Sequence, residues 1–287
     1  MNTRICEIGA SKAGIKTADL KLILDIAKNA ASLGGDILMK HYGLNKTIEN
    51  KGRVGDLVTN ADIEAEQEII RFLKEKTPAI GIYAEESGSS GSQLGLTWCI
   101  DPLDGTTNYA HGFPLFATSI GLVWEDLPIL GAISVPFLNE LYWASPTIGS
   151  FCNKEKLSVS STSTLIDSLL VTGFAYDRHT LNDNNYAEFC ALTHKTRGVR
   201  RGGAAAVDMA FIANGRLDGY WERGLSKWDL AAGVPIVELA GGIISDYKSQ
   251  EFDLNNGRII ACNPLIEEEL KAELNKVKPL QKSAYIG

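Results

Sequence analysis

The residues with the most chemistry in them lie close together, in W-C-I-D-P-L-D-G-T-T-N, Trp98 to Asn108. An apolar run ends in Asp101, Pro102 forces a turn, and Asp104 follows. A strand end and a tight bend place these two carboxylates where they can converge on one cation or on a pair. Magnesium suits such a site, because it takes hard oxygen ligands in octahedral geometry and keeps waters and phosphate oxygens in its shell. Behind Asp104, Gly105-Thr106-Thr107 reads as the opening of a helix, where the backbone N–H groups of Gly105 and Thr106 favour an anion. Glycine lets a phosphate approach the main chain closely. Cation ligands beside a phosphate cradle are what metal-assisted phosphate hydrolysis needs. Taken singly, the two acids have a plainer reading, Asp101 closing a turn and Asp104 capping a helix.

Other acidic positions could join them. Glu85 and Glu86 end an apolar run in Y-A-E-E-S, Asp56 lies in G-D-L-V-T-N-A-D, and Asp229 lies in K-W-D-L-A-A-G at the start of an apolar helix. Alone, each is a solvated loop residue, a turn residue or a helix cap. Their company argues for a cluster. With water as the nucleophile, no serine, cysteine or histidine is required. His111, in Y-A-H-G-F-P, reads as structural.

These residues need elements to hold them. Residues 1–17 read as a loose leader, followed by a catalytic region over 18–280 with subdomains of roughly 18–150 and 151–280. Ile23, Ile26, Ala27, Ala30, Ile37 and Leu38 recur at helical spacing and predict a helix from Asp19 to about His41, ended by Gly43. Thr59 and Asp62 form a helix-start signal near Asn60, with Ile63, Ile70 and Leu73 on one face and Pro78 closing the helix. Gly81 to Ala84 reads as a strand, and S-G-S-S-G-S-Q-L-G after Glu86 as a surface loop. Runs at Thr97–Ile100, Thr118–Val123, Ile129–Val135 and Glu140–Ala144 predict a largely antiparallel sheet. The second half alternates: strand Leu169–Thr172, helix Ala204–Ala213, strand Leu217–Trp221, helix Leu230–Leu239, then Gly241-Gly242 and strand Ile243–Ile244. That alternation suggests layered α/β structure. Pro235 is awkward inside its helix and predicts a kink.

Composition bounds the partners. The chain has 287 residues, a formal net charge of −7 and 45% hydrophobic residues, as in an ordinary globular protein. An acidic balance argues against broad nucleic-acid or anionic-membrane binding, but not against a phosphorylated substrate met through cations. The five cysteines are widely spaced, with no C-x-x-C, which fits reduced thiols in a cytoplasmic setting rather than a disulfide framework or structural zinc. The N-terminus lacks the apolar core of a signal peptide. The most apolar stretch, Leu127 to Leu138, is too short and broken to span a bilayer.

The segments G-D-L-V-T-N-A-D, A-E-E-S, W-C-I-D-P-L-D-G-T-T-N, G-S-F-C-N, R-R-G-G-A-A-A-V-D-M and W-E-R-G-L-S-K-W-D-L-A-A-G, in that order and spacing, resemble the inositol monophosphatase family from about Leu20 to Pro279. The resemblance implies a five-layer αβαβα sandwich, usually a homodimer, with magnesium dependence and often lithium inhibition. It implies that Glu85, Asp101 and the Leu103 carbonyl hold a first Mg²⁺, and that Asp101, Asp104 and Asp229 hold a second. Glu85 would touch a third through water. Thr106, supported by Asp56, would orient the attacking water. Gly105 and Thr106 would bind phosphate through their N–H groups. Glu222 and the backbone of Gly203, Ala204 and Ala205 would face the substrate's hydroxyls. One segment, T-G-F-A-Y-D-R (Thr172 to Arg178), resembles bacterial and plastid-type members instead of animal ones, and in the family it lies near the substrate.

The expected substrate is a small phosphorylated polyol, inositol monophosphate first. Histidinol phosphate, fructose 1,6-bisphosphate or a 3′-phosphoadenosine nucleotide are alternatives, as is a regulatory binding protein on the same scaffold. Glu222 favours a polyol, whose hydroxyls a carboxylate accepts, over a second phosphate, which it repels. It would also suit the cationic amine of histidinol.

Overall fold

The computed structural model describes residues 4–44, 48–50, 57–91, 95–248 and 251–280. A short hairpin of β1 (Ile48–Asn50) and β2 (Leu57–Thr59) precedes the main sheets. The large sheet is built from β3 (Gly81–Ala84), β4 (Gly88–Ser90), β5 (Leu96–Asp104), β6 (Ala117–Trp124), β7 (Leu127–Val135), β8 (Glu140–Ser145), β9 (Gly149–Cys152) and β10 (Glu155–Lys156). Its order is β10-β9-β8-β7-β6-β5-β3-β4, antiparallel except where β3 runs parallel to β5. The small sheet takes β11 (Leu169–Thr172), β12 (Gly198–Arg200), β13 (Gly219–Arg223), β14 (Ile243–Ser245) and β15 (Arg258–Cys262) in the order β12-β11-β13-β15-β14.

Helices separate and cover the sheets. α2 (Thr17–His41) and α3 (Asn60–Lys76) lie against one face of the large sheet. After the short α4 (Thr106–Ala110), α5 (Tyr186–Thr193) packs outside the small sheet with α9 (Glu267–Lys276). Between the two sheets lie α6 (Ala205–Ala213), α7 (Lys227–Leu230) and α8 (Gly233–Leu239). Three apolar cores fill the gaps. One holds Leu24, Leu38, Ile69, Trp98 and Ile100, the middle one Cys99, Val123, Met209, Tyr220 and Ile236, and the outer one Leu170, Trp221, Ile260 and Leu270. The result is five layers, αβαβα. Because both faces of the large sheet are covered, β5, β6 and β7 are buried almost throughout, which is why they read as continuous apolar runs rather than alternating ones.

The helix α2 buries Leu20, Leu24, Ala27, Ala31, Gly34 and Leu38, so its inner face is centred slightly away from Ile23 and Ile26. In α3 the departure is larger. Ile63 is exposed, while Asp62 and Glu66 are buried beside Ala65, Ile69 and Leu73. A packing helix would do the opposite, and the reason lies in the site below.

Several expectations need correction. The loose leader contains α1 (Ile5–Lys12), packed on β7 and α8, and the Glu238 carboxylate accepts the Ile5 and Cys6 N–H groups that open it. Part of the expected loop after Glu86 is β4, whose Gly88 pairs with Ala84; residues 92–94 lie outside the described residues. The strand expected at Leu217–Trp221 runs from Gly219 to Arg223.

The single helix expected over Leu230–Leu239 is two, α7 and α8, parted at Ala231-Ala232. The break moves Pro235 into the first turn of a new helix, where its missing N–H is no loss and no kink is needed. It also lets the chain descend onto the large sheet. A Cβ at Gly121 or Gly131, which face each other across β6 and β7, would sit 2.6 or 2.4 Å from the Ala231-Ala232 main chain. This contact seats α7, and with it Asp229, over the sheet next to β5.

Candidate active site

Strand β5 delivers the first acids. Its pairing with β6 shifts between Asp101 and Asp104, so the strand bends there and both carboxylates emerge at its end. Asp101 Oδ1 accepts the Leu103 N–H at 3.0 Å, which fixes the turn. The plain turn reading of Asp101 is therefore true, and the residue also lines the cleft. Glu85, at the end of the parallel neighbour β3, donates its N–H to the Ile100 carbonyl at 3.1 Å and so stays in register with β5. Asp229 closes the group from α7. It forms a capping box with Ser226, whose N–H reaches Oδ2 at 2.7 Å, and it also lines the cleft.

Gly105 turns the chain from β5 into α4 with φ = 87° and would bring a Cβ to 3.0 Å from that of Ala204. Both the positive φ and the close approach call for glycine. The first N–H groups of α4 have no carbonyl within the helix to bond. Thr106 is buried, and its Oγ1 donates toward the Leu103 carbonyl at 3.1 Å and Asp62 Oδ1 at 3.4 Å. With the hydroxyl proton directed into the protein, the oxygen can accept a hydrogen bond from a water in the cleft.

Glu85, Asp101, Leu103, Asp104, Gly105, Thr106, Gly203, Ala204, Ala205, Glu222 and Asp229 all line one cleft of about 520 Å³. Asp56 lies outside the described residues. The structure supplies a different support for Thr106, namely Asp62, whose other oxygen takes the Thr59 N–H and hydroxyl in the capping box of α3. Sequence reading had used Asp62 only as a helix-start signal. The N–H groups of Ala205 and Ala206 donate to Asp104 at 3.2 and 2.7 Å, so this stretch of cleft-lining backbone also holds a carboxylate of the cup. His111 is exposed and does not line the cleft.

The cleft is also lined by Glu222 on β13, which accepts the Tyr220 hydroxyl at 2.7 Å. A Cβ at Gly173 would lie 2.2 Å from this carboxylate, so the glycine of T-G-F-A-Y-D-R makes room for it. The rest of that segment is tied down by a bidentate ion pair, Arg223 to Asp177, with both bonds 2.7 Å. Phe174, Tyr176 and Arg178 of that segment line the cleft, as does Arg201, which lies between β12 and α6. No spacing signal singled out either arginine.

The electrostatics are those of acids crowded out of water. Asp101 is held well above the usual carboxylate range, first by burial and then by repulsion from Glu85, Asp104 and Asp229. Asp229 is raised for the same reasons, burial and then Asp104. Burial pushes Asp104 up to about 7 against the pull of the α6 amides, and burial pushes Glu222 up to about 7. Among the described residues, no three acidic, histidine or cysteine side chains already surround one point as a closed metal cage. An open cup of carboxylates is nonetheless the donor set for a hard dication such as Mg²⁺, which fills its octahedron with water and substrate oxygens. Bound positive charge would relieve the repulsion.

Stability should report this strain. Asp104 titrates near 3.8 unfolded and about 7 folded. Between those values the unfolded chain has lost a proton that the folded chain keeps, so stability falls as pH rises through that window and levels off above it. Melts in chelator should give a lower Tm at pH 8 than at pH 5. Asp104→Asn should flatten that slope, and Mg²⁺ should restore most of the loss at pH 8. An unchanged slope in Asp104→Asn would mean that the carboxylate is not carrying buried charge.

A layered αβαβα phosphatase fold with an acidic cup at the end of β5 defines the class, and the chain belongs to the inositol monophosphatase family, whose model matches residues 19–279. It is a phosphoric monoester hydrolase of that family, one that is generally metal-dependent. The chain is 48% identical to an inositol-1-monophosphatase of Synechocystis sp., over 92% of this chain and 93% of that one. It superposes on a solved inositol monophosphatase from Anabaena (Nostoc) sp. with a TM-score of 0.83 at 45% identity, covering 93% of this chain and 100% of that one. It is also 36% identical to a protein of Haemophilus influenzae named Nus factor SuhB, over 90% of this chain and 96% of that one. Among the described residues no helix is long and apolar enough to cross a membrane.

Proposed function

We propose that the chain hydrolyses myo-inositol monophosphate, or a closely similar polyol phosphate, to the free polyol and phosphate, using Mg²⁺. The observation that carries this reading is one cleft lined both by the acidic cup of Glu85, Asp101, Asp104 and Asp229 and by Glu222 of β13. Glu85, Asp101 and the Leu103 carbonyl would hold one Mg²⁺, and Asp101, Asp104 and Asp229 a second, with Glu85 reaching a third through water. When bound, these ions supply Lewis acidity toward the attacking water, the phosphoryl group and the leaving oxygen. The protein's own part is positioning. Thr106, its proton turned toward Asp62 and Leu103, accepts from the attacking water, and Glu85 fixes that water's other side. The Gly105 and Thr106 amides face the phosphoryl oxygens, whose charge they stabilise as it develops. Gly203 and Ala204 flank the leaving group. A homodimer and a cytoplasmic location belong to the same reading. The name of the Haemophilus relative brings in a regulatory role as a second reading, but a complete set of acids favours hydrolysis first.

Glu222 decides the substrate. As an acceptor for ring hydroxyls it contributes about 1.5–3 kcal/mol through charge-assisted hydrogen bonds, so Glu222→Gln should lower kcat/KM for inositol 1-phosphate roughly ten- to hundredfold. A minimal phosphate ester without hydroxyls should be hydrolysed almost as before. If histidinol phosphate is the substrate, the loss should be greatest there, because its ammonium loses an ion pair. Equal losses on all three would assign Glu222 to the acidic cup instead of to substrate choice.

A further inference from the structure

The inner face of α3 carries two acids that its pattern does not explain. Asp62 is 0% exposed and Glu66 3%, while Ile63 beside them is 43% exposed. Burying a carboxylate is costly unless hydrogen bonds hold it. Glu66 spends both oxygens on the main chain: Oε2 accepts the Glu86 N–H and Oε1 the Ser87 N–H, each at 2.8 Å. Those amides belong to the turn joining β3 to β4, immediately after Glu85. On the other side, the Glu85 N–H is bound to Ile100 of β5. The backbone is therefore gripped both before and after the Glu85 side chain. One turn of α3 away, Asp62 receives the hydroxyl of Thr106.

We propose that Glu66 is a positioning residue for the cation site, and that its two-oxygen grip on the Glu86 and Ser87 amides sets the direction in which the Glu85 carboxylate enters the cup. This rests on the reading of Glu85 as a cation ligand. Hydrogen bonds to an ionised carboxylate are about twice as strong as neutral ones, and the parallel pair fixes the turn in two dimensions. Glu66 itself does not line the cleft. Together with Asp62 it makes α3 the element that sets the relative placement of Glu85 after β3 and Thr106 at the start of α4, a ligand and a water-orienting hydroxyl that come from different elements. The burial of two acids at the expense of Ile63 follows from that task.

The test compares Glu66→Gln with the wild-type chain. Glutamine keeps the volume but offers one acceptor oxygen and turns an NH₂ toward an amide donor, so half of the grip is lost. Mg²⁺ alone is titrated calorimetrically into chelator-stripped protein, beside thermal melts and kinetics on inositol 1-phosphate. Partners standing behind metal ligands typically govern 10- to 100-fold in metal affinity, so the Mg²⁺ dissociation constant should rise by about that factor. With Mg²⁺ saturating, kcat should recover toward wild type and KM should change less than about twofold. Glu66→Asp keeps the charge but is too short to span both amides, and it should weaken Mg²⁺ similarly. A purely structural Glu66 would lower Tm and leave the Mg²⁺ constant unmoved. Wild-type Mg²⁺ affinity in a folded variant overturns the proposal. Failure of the wild-type chain itself to bind Mg²⁺ would instead overturn the reading of Glu85 as a ligand.

Discussion

Asp101→Asn is expected to lower turnover by about 10³-fold or more, because Lewis-acid stabilisation by two ions supplies several kcal/mol and each 1.4 kcal/mol is about tenfold in rate. Asp101 is the one acid placed to serve both proposed ions, being 2% exposed at the end of β5 and within reach of the charges of Glu85, Asp104 and Asp229. The fold should survive the change. Asparagine keeps an oxygen for the Leu103 N–H, and its NH₂ meets carboxylates that now accept a hydrogen bond instead of repelling a charge. The metal-free variant should therefore melt at or above the wild-type temperature near neutral pH. Circular dichroism melts and phosphate release are measured on the same preparation. Substantial turnover with Mg²⁺ would remove Asp101 from the ligand set. Lost turnover with a collapsed melt would assign it to the fold.

The layers were legible because each element advertised its surroundings. The runs at Thr97–Ile100, Thr118–Val123 and Ile129–Val135 announced the antiparallel strands β5, β6 and β7, and the stripe of α2 marked one inner face. Reading failed where a local signal was outvoted from a distance. The sequence over 1–17 looked unpatterned, yet α1 forms because Glu238, more than two hundred residues on, accepts its first N–H groups. The helix over Leu230–Leu239 looked continuous until Gly121 and Gly131 let Ala231-Ala232 drop onto the sheet.

The acids were legible in the same uneven way. The bend D-P-L-D announced Asp101 and Asp104, and Y-A-E-E-S placed Glu85 at a strand end, all of which the cleft collects. Asp229 looked like a helix cap and does cap, as the N3 member of the Ser226 capping box, while also lining the cleft. Nothing in A-A-A-V-D showed that Asp104 would accept the Ala205 N–H. Asp62 and Glu66 were hidden by the hydrophobic pattern itself. Ile63 was the obvious inner residue, and only bonds to Thr106, Glu86 and Ser87, distant in sequence, reverse the helix face. Functional sites are where local rules break in this manner.

Removing divalent cations should abolish catalysis altogether. Without them the cup holds protons or bare repelling carboxylates, as the raised Asp101, Asp104 and Asp229 require, and a phosphate monoester dianion brought among them would be repelled. The remaining groups, Thr106 and the Gly105 and Thr106 amides, can orient a water and a phosphoryl group but cannot activate either. Uncatalysed phosphate-ester hydrolysis is among the slowest reactions known, so the residual rate should be undetectable. The most direct measurement is phosphate release from inositol 1-phosphate by chelator-stripped wild-type enzyme, titrated with Mg²⁺. The expected result is no release in excess chelator and a saturable return of activity as Mg²⁺ is added. Full activity in excess chelator would contradict a metal-assisted hydrolysis at this cup.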